Sequence, residues 1–246
     1  MCNEYSGFFI TLEGTDGSGK STAAKILVDQ LVELGLDVVW TREPGGSQFG
    51  ETLRELLLEE RPKPLHQEVD TLLLFAARID HLETLIKPNL WAGHVVVCER
   101  FTDSTYAYQV SGGNLNPWLF QTLEDNLTSL IEPDLTLWLD VSQKVAFKRL
   151  KGREKGDKFE TLLKEDPGYF QRLRKGYRLR HRISKGRMQH IHADKSIEQV
   201  TGVLKTYALT IAKKVKGNLE PKPIEPLKGF WKRWLDFAPR ARATRI

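Results

Sequence analysis

The sequence has 246 residues, of which 40% are hydrophobic and 28% charged, enough for one large packed domain or two small ones. Two cysteines exclude a disulfide scaffold, no apolar run is long enough to span a membrane, and residues 1–7 lack a secretion signal, so a cytoplasmic protein is expected. The net charge of +5 combines an acidic first half with a basic internal segment and a basic tail, unlike the uniformly basic surface that coats nucleic acid.

Short β-rich apolar runs alternate with helical periodicity along most of the chain. Strands are predicted at 8–12, 37–40, 94–98, 135–139 and 189–192, and helices at 21–34, 49–60, 67–86, 116–130, 143–151, 168–184 and 196–212. This alternation predicts an α/β fold with a five-stranded, mainly parallel sheet flanked by helices. Cys98, in the third strand, is expected to be a reduced buried thiol. We place the end of the core domain at residue 212 and treat 213–246 as a basic extension.

The segment from Gly14 to Ser21 matches the pattern G-x-x-x-x-G-K-[ST] and lies between a predicted strand and a predicted helix. Such a loop wraps a polyphosphate with backbone N–H groups, while Lys20 reaches the β- and γ-phosphates and Ser21 binds Mg²⁺. The sequence therefore predicts a Mg²⁺–nucleoside triphosphate site, but GTPases, ATPases and small kinases all share this loop. The residues predicted to bind ATP in this loop are Gly14, Asp16, Gly17, Ser18, Gly19, Lys20, Ser21 and Thr22.

Arginines and polar side chains cluster in three further places. Residues 41–46 follow the second strand, residues 99–109 follow the third, and Arg54 and Arg78 lie on the helices between them. Ligands of an open parallel sheet bind at the carboxyl ends of its strands. We therefore expect these arginines, together with Arg100, to converge on a second anionic ligand opposite the triphosphate.

Four motifs in this order resemble the thymidylate kinase family. They are E-G-x-D-G-x-G-K-S-T from Glu13, T-R-E-P-G-G from Thr41, Ala-Ala-Arg ending at Arg78, and R-x-x-D-S-x-x-A-Y-Q from Arg100. The resemblance covers about residues 8–211 and implies a P-loop nucleoside monophosphate kinase fold with a flexible lid. It also implies transfer of the ATP γ-phosphoryl group to dTMP with Mg²⁺ as the cofactor, and a homodimer.

The resemblance implies a role for each matched position. Arg54 and Arg100 would hold the dTMP phosphate, and Arg78 and Gln109 would bind the thymine edge. Asp16 and Glu43 would lie near the sugar and the Mg²⁺–water network. The full set implied for dTMP is Asp16, Glu43, Arg54, Leu74, Phe75, Arg78, Arg100, Ser104, Thr105 and Gln109, and the set for Mg²⁺ is Ser21, Glu99 and Asp16.

Three positions depart from the family pattern. Glu99 replaces the usual aspartate before Arg100, which also resembles deoxynucleoside kinases. The aromatic that stacks on thymine is displaced by one residue, because Leu74 occupies its position and Phe75 follows. Either the helix is locally rotated so that Phe75 stacks, or Leu74 covers the base, or base selection is looser. The segment 157–160 reads Asp-Lys-Phe-Glu, with a lysine replacing an arginine.

Residues 148–187 hold 15 Lys/Arg against 5 Asp/Glu, and we place a lid at about 149–160. A cationic segment that closes over a triphosphate excludes water and neutralises charge on the transferred group. Because Gly17 occupies a position where some thymidylate kinases carry an arginine, the resemblance favours a catalytic arginine from the lid. We assign this role to Arg153, assisted by Lys158, and expect Arg149 to stack on adenine. The predicted catalytic set is Lys20, Arg100, Arg153 and Lys158, and Arg149 belongs to the predicted ATP-binding set.

Two other functions stay open at this point. A deoxynucleoside kinase, or a kinase of broader deoxynucleoside monophosphate range, would fit Glu99. A nucleotide-binding interaction module would use the basic tail, where Leu227, Phe230, Trp231 and Trp234 predict a short amphipathic helix. That helix is expected to dock on the core or a sister subunit, with an anionic membrane or nucleic acid as the alternative; its partner is unknown. The predicted kinase requires no nucleic acid, and the scattered histidines are read as structural or solvated.

Overall fold

The structure is a computed structural model that describes residues 5–59, 65–128, 131–151, 166 and 168–217. The predicted lid residues Arg153 and Lys158 and the extension from residue 218 onward lie outside the described residues. Within the described ranges, no helix is both long and apolar enough to cross a membrane.

Five strands form one sheet in the order β2-β3-β1-β4-β5, and every neighbouring pair is parallel. This confirms the predicted five-stranded sheet. The strands are β1 (Phe8–Glu13), β2 (Val38–Arg42), β3 (Val95–Glu99), β4 (Leu135–Asp140) and β5 (Met188–His192). Because β1 lies between β3 and β4, the chain order reverses beside it, which opens a crevice at its carboxyl end.

Helices cover both faces of the sheet. They are α1 (Lys20–Glu33), α2 (Gln48–Leu58), α3 (Gln67–His81), α4 (Lys87–Trp91), α5 (Thr102–Thr105), α6 (Pro117–Leu127), α7 (Gln143–Leu150), α8 (Tyr169–Ile183) and α9 (Ile197–Gly217). A π-helical segment, Leu82–Ile86, joins α3 to α4, so the helix predicted to end at 86 continues to Trp91. The last helix likewise extends past the predicted residue 212 to Gly217.

The segment after β3 is helical, although no helix was predicted there. α5 continues directly into a second π-helical segment, Tyr106–Gly112, which packs against α8. The buried carboxylate of Asp103 anchors α5, because Arg180 Nε donates to it at 2.6 Å and Arg187 Nη2 at 2.9 Å. Tertiary contacts therefore stabilise a helix whose Thr, Ser and Tyr residues have only modest helix propensity.

The apolar core has a layer on each side of the sheet. Along β1, Phe8, Ile10 and Leu12 belong to one buried cluster and Phe9 to the other, as the alternation of a strand requires. Cys98 is buried and carries a free thiol, which confirms its predicted state. With both faces covered, the ends of the strands remain available for a site.

Candidate active site

The loop between β1 and α1 is built as an anion cradle. Lys20, the first residue of α1, is 8% exposed, and its ammonium donates to the carbonyls of Gly14 at 3.0 Å and Thr15 at 2.8 Å. The buried hydroxyls of Thr15 and Ser18 have no hydrogen-bond partner. Burial, with a further contribution from the Arg100 charge, lowers the pKa of Lys20 to about 7. These groups favour an anion at the start of the helix.

A cavity of about 460 Å³ opens beside this loop, at the carboxyl ends of the central strands. The predicted P-loop residues Asp16, Gly17, Gly19, Lys20, Ser21 and Thr22 line it. So do the residues predicted for dTMP other than Phe75, namely Asp16, Glu43, Arg54, Leu74, Arg78, Arg100, Ser104, Thr105 and Gln109. The fold thus brings the two predicted ligand sites into one cavity.

The Arg78 guanidinium is held at one end of this cavity and is only 2% exposed. Its Nε donates to Glu43 at 2.7 Å and its Nη2 donates to Thr105 at 2.9 Å. Phe75 and Phe101 place their rings about the guanidinium carbon at 5.0 and 5.1 Å. The remaining nitrogen, Nη1, is buried with no hydrogen-bond partner. An orphaned donor of this kind favours a ligand that supplies an acceptor.

A buried group behind Glu43 holds that carboxylate in place. His81 is fully buried and forms hydrogen bonds with Thr41 Oγ1 at 2.7 Å through Nε2 and with Glu43 at 3.3 Å through Nδ1. Glu43, His81 and Cys98 lie within 4.8 Å of one another, but both histidine nitrogens are engaged and burial raises the pKa of the Cys98 thiol. This group therefore supports Arg78 and is a poor metal site, consistent with the structural role predicted for the histidine.

Arg100 links the P-loop to the helical segment that follows β3. It has a φ of 68°, a strained conformation for a residue with a side chain, and its N–H donates to Leu12 O at 2.9 Å. Its guanidinium bonds to the Asp16 carboxylate, and Tyr108 Oη donates to the other oxygen of Asp16 at 2.7 Å. Asp16 is therefore engaged by Arg100 and Tyr108, whereas Ser21 contacts Glu99. Asp16, Ser21 and Glu99, the three predicted Mg²⁺ ligands, all line the cavity.

Ser21 and Glu99 form an oxygen-donor pair at the loop. Ser21 Oγ donates to Glu99 Oε2 at 2.6 Å, and Trp40 Nε1 donates to Oε1 of the same carboxylate at 3.2 Å. A hydroxyl and a carboxylate are the donors that Mg²⁺ takes beside phosphate oxygens, with water completing the shell. The residues present therefore fit the cation that accompanies a triphosphate.

A second cavity, of about 220 Å³, lies on the other side of the P-loop. Ser18, Arg149, Ala193 and Lys195 are among the residues that line it, and Arg149 Nη2 donates to Ala193 O at 2.9 Å. Arg149 also donates to the carbonyls of Gly17 and Ser18 at 3.4 Å. The arginine predicted to stack on adenine is thus fixed beside the loop, in the wall of a cavity next to it.

Residues 12–202 match the family model described as thymidylate kinase. The chain belongs to the thymidylate kinase family. It is 42% identical to the thymidylate kinase of Teredinibacter turnerae over 79% of this chain and 94% of that one, and 45% identical to that of Bordetella pertussis over 80% and 92%. The crystal structure of the Ehrlichia chaffeensis thymidylate kinase superposes with a TM-score of 0.66 at 31% identity, covering 82% of this chain and 98% of that one. The comparisons favour a thymidylate kinase over the deoxynucleoside kinase alternative.

The structure distinguishes between the two residues that compete for the stacking position of thymidylate kinases. Leu74 is half-buried and lines the cavity, whereas Phe75 is 1% exposed and packs against Phe120 at 6.1 Å between ring centroids. The α3 helix is regular here, so it does not rotate Phe75 into the cavity. This geometry disfavours a rotated Phe75, which packs beside Arg78 instead. A Leu74 that covers the base and a looser base selection both stay predictions.

Several residues that shape the thymidylate kinase site were absent from the prediction. Trp40 contacts Glu99, Phe101 lines the cavity, and Tyr108 binds Asp16. Arg42 also lines the cavity while it pairs with Glu51 at 2.9 Å. Phe101, Tyr108 and Arg42 stand inside the recognised motifs, so motif membership was a usable signal. Trp40 lies outside these motifs, and its exposure on an edge strand is visible only in the structure.

Glu13, the first residue of the P-loop motif, is buried beneath the site. It accepts a hydrogen bond from Phe101 N at 2.7 Å and another from the Ser104 hydroxyl. Burial, reinforced by the nearby Asp103 charge, raises the pKa of Glu13 to about 7. This carboxyl therefore connects the P-loop to α5 without entering the cavity.

Proposed function

We propose that this chain transfers the γ-phosphoryl group of ATP to dTMP, giving dTDP and ADP. The observation that carries the proposal is the joining of two different sites in one cavity. A P-loop with a buried lysine lies at one end, and an arginine with an orphaned buried donor lies at the other. A triphosphate and a planar base bearing carbonyl oxygens match these two ends.

The base end matches thymine. We assign the unpaired Nη1 of Arg78 to a thymine carbonyl, while the amide of Gln109, 2% exposed in the same wall, can both donate and accept. Thr105 positions Arg78, and Leu74 and Phe101 form the apolar walls. Glu43 holds the guanidinium in the plane that this contact needs.

The phosphate of dTMP is assigned to Arg54 and Arg100. Arg54 Nη1 donates to Pro44 O at 2.8 Å, and the residue lines the cavity that also contains the P-loop. Arg100 donates to Gly14 O at 3.2 Å and to Ser104 Oγ at 3.3 Å. Guanidinium forks suit phosphate oxygens, and the two would place one such oxygen in line with the γ-phosphorus.

The transfer itself needs positioning and charge neutralisation more than a base, because the attacking phosphate oxygen is already an anion. Lys20 would bind the β- and γ-phosphates, and Ser21 and Glu99 would hold Mg²⁺. When bound, Mg²⁺ neutralises charge that develops on the phosphate oxygens. Arg149 beside the second cavity would bind adenine.

We assign the remaining charge neutralisation to Arg153, with Lys158 assisting. Gly17 supports this assignment, because its φ is +77° and a Cβ there would lie 2.6 Å from Ala146 O. No side chain fits at Gly17, so an arginine cannot come from that position of the loop. We therefore propose that the cation comes from the lid, as the resemblance to the thymidylate kinases without a loop arginine implies.

We also propose that the chain forms a homodimer and acts in the cytoplasm. Apolar side chains stand exposed on three neighbouring helices, with Phe49 on α2, Val69 and Leu72 on α3, and Trp118 on α6. α3 packs against both α2 and α6, so these side chains lie on adjacent helices. Exposed apolar groups gathered in this way are typical of subunit interfaces.

The decisive experiment measures ADP release with Mg²⁺–ATP against dTMP, dUMP, dGMP, UMP and thymidine. We expect strong turnover with dTMP and weak turnover with the others. Comparable rates with several monophosphates would show that Leu74 selects the base loosely. Turnover with thymidine alone would replace the proposal by a nucleoside kinase, and no turnover at all would favour a binding module.

A further inference from the structure

The Glu99 carboxylate is held from two sides by neutral donors. Ser21 Oγ donates to Oε2 at 2.6 Å, and the indole N–H of Trp40 donates to Oε1 at 3.2 Å. Each oxygen therefore has its own donor, and the two donors come from α1 and β2. Ser21 belongs to the P-loop motif, whereas Trp40 belongs to no motif of the family.

The strand register explains how the indole reaches the carboxylate. In the parallel pair, Trp40 lies opposite Val97 and Arg42 lies opposite Glu99. Side chains two residues apart on a strand share a face, so Trp40 and Glu99 are diagonal neighbours on one side of the sheet. A tryptophan is long enough to span this diagonal with its ring nitrogen.

Packing alone does not account for a tryptophan at this position. The side chain is 44% exposed and lies on β2, an edge strand. Burial of the ring therefore contributes only part of what a core tryptophan would contribute. The hydrogen bond to Glu99 is the specific interaction that the residue makes.

The length of Glu99 supplies the reason for a second donor. A glutamate has one more rotatable bond than an aspartate and loses more side-chain entropy when it is held in one geometry. Hydrogen bonds to a ligand's free oxygens orient it toward a metal, and such supporting residues tune metal affinity. A donor on Oε1 thus offsets the freedom that the longer side chain introduces.

We propose that Trp40 is a positioning residue that orients Glu99 toward the Mg²⁺ accompanying the nucleotide. The Trp40–Glu99 pair then substitutes for a shorter carboxylate at the same position. This inference rests on the proposed function only in requiring a Mg²⁺–nucleotide site at Ser21 and Glu99. It does not depend on the identity of the phosphate acceptor.

The test is a double-mutant cycle with ADP as the ligand. Calorimetry on the full chain compares wild type, Trp40→Phe, Glu99→Asp and the double variant, each with Mg²⁺ and with EDTA. In the wild-type background, Trp40→Phe should weaken Mg²⁺–ADP binding by about 3- to 10-fold, the value of one net hydrogen bond, and leave binding in EDTA unchanged. In the Glu99→Asp background, the same substitution should change either affinity by less than about twofold.

A matched control and a spectroscopic measurement distinguish a role of Trp40 in orienting Glu99 from a role in the stability of the fold. Trp91 on α4 is 45% exposed, so Trp91→Phe removes an equally exposed indole and should leave Mg²⁺–ADP binding unchanged. In ¹H–¹⁵N spectra, the indole resonance that Trp40→Phe removes should shift when Mg²⁺ is added to the ADP complex. A structural role would move thermal stability without moving that resonance.

Three outcomes would overturn the inference. They are equal weakening in Mg²⁺ and in EDTA, equal weakening in the wild-type and Glu99→Asp backgrounds, and an indole resonance that does not respond to Mg²⁺. The proposed function can fail independently. If Trp40 and Glu99 are coupled in Mg²⁺–ADP binding but the chain does not phosphorylate dTMP, the proposed acceptor is wrong. The Trp40 inference would still stand.

Discussion

The two ends of the cavity are built on opposite electrostatic principles. At the base end, the Arg78 cation meets the Glu43 carboxylate at 2.7 Å, and His81 supports that carboxylate from behind. At the phosphate end, the buried ammonium of Lys20 has backbone carbonyls as its near partners, with the Asp16 carboxylate 4.0 Å away. The Arg78 cation is thus paired with a carboxylate at hydrogen-bond distance, whereas the Lys20 ammonium is held mainly by carbonyl dipoles.

This difference assigns a separate task to each end. A charge-paired, buried wall with one free donor distinguishes ligands by where their acceptors lie, because a misplaced acceptor leaves the donor unsatisfied. An ammonium held mainly by backbone carbonyls instead attracts phosphate irrespective of the group attached to it. Selectivity is therefore expected to depend on α3, and phosphoryl transfer on the P-loop and the lid.

The largest effect is expected at the phosphate end. Arg153→Ala should lower kcat by about 10³-fold or more, as is typical of an arginine that neutralises charge on the transferred phosphoryl group. The binding of dTMP should change little. Steady-state kinetics with separate dTMP calorimetry measures the two quantities. A near-normal kcat would remove Arg153 from the mechanism and shift the role to Lys158 or another lid cation.

The second largest effect is expected at Arg78, whose Nη1 is the donor without a partner. Arg78→Lys keeps a cation beside Glu43 but loses the planar fork, so kcat/KM for dTMP should fall by about 30- to 100-fold, as for one buried charged hydrogen bond. The KM for ATP should stay within about twofold, since the P-loop is untouched. Arg178→Lys, on the exposed face of α8, is the control and should change neither value. Parallel losses for ATP and dTMP would contradict the division of tasks.

Glu13 links the two ends and should make stability depend on pH. Its pKa of about 7 lies above the ordinary 4.5, so the folded chain keeps a proton that the unfolded chain releases between these values. The stability that this group contributes is complete below pH 4.5 and is lost as the pH rises through 7. Glu13→Gln should therefore flatten the unfolding free energy between about pH 5 and 8, measured by urea denaturation.

An exposed carboxyl supplies the reference for that measurement. Glu55→Gln, on the solvent side of α2, should leave the pH profile as it is in wild type. An unchanged profile in Glu13→Gln would mean that the buried carboxyl is ionised across this range.

The smallest effect is expected at Leu74, and comparison with Phe75 tests which of the two side chains contacts the base. Leu74→Ala should raise the KM for dTMP by about 10-fold, near the low end of the about 1.5–3 kcal/mol for a fully buried leucine, because Leu74 is half-buried. Phe75→Leu should lower the free energy of unfolding by about 1 kcal/mol, seen as a lower melting temperature. The KM for dTMP should stay unchanged. If Phe75→Leu raised the KM instead, the aromatic would be the stacking residue despite its burial.

The sequence predicted the regular elements well because their signals are local. The apolar run of β1 and the periodicity of α1 were predicted to within about a residue. The helical segment 102–112 was missed because Asp103 is held by Arg180 and Arg187, which follow it by more than 75 residues. No local pattern of Thr, Ser and Tyr predicts a helix that is stabilised by arginines so far along the chain.

The sequence by itself determined the family, the P-loop, the parallel sheet and most of the residues around the cavity, because motif order and spacing survive in the linear chain. Only the tertiary structure decided that Leu74 rather than Phe75 faces the cavity, that Asp16 is engaged by Arg100 and Tyr108, and that Trp40 contacts Glu99. These findings concern the direction in which a side chain points and the hydrogen-bond partner that it has. They depend on the angle at which α3 meets the sheet and on the register between β2 and β3, which distant contacts establish.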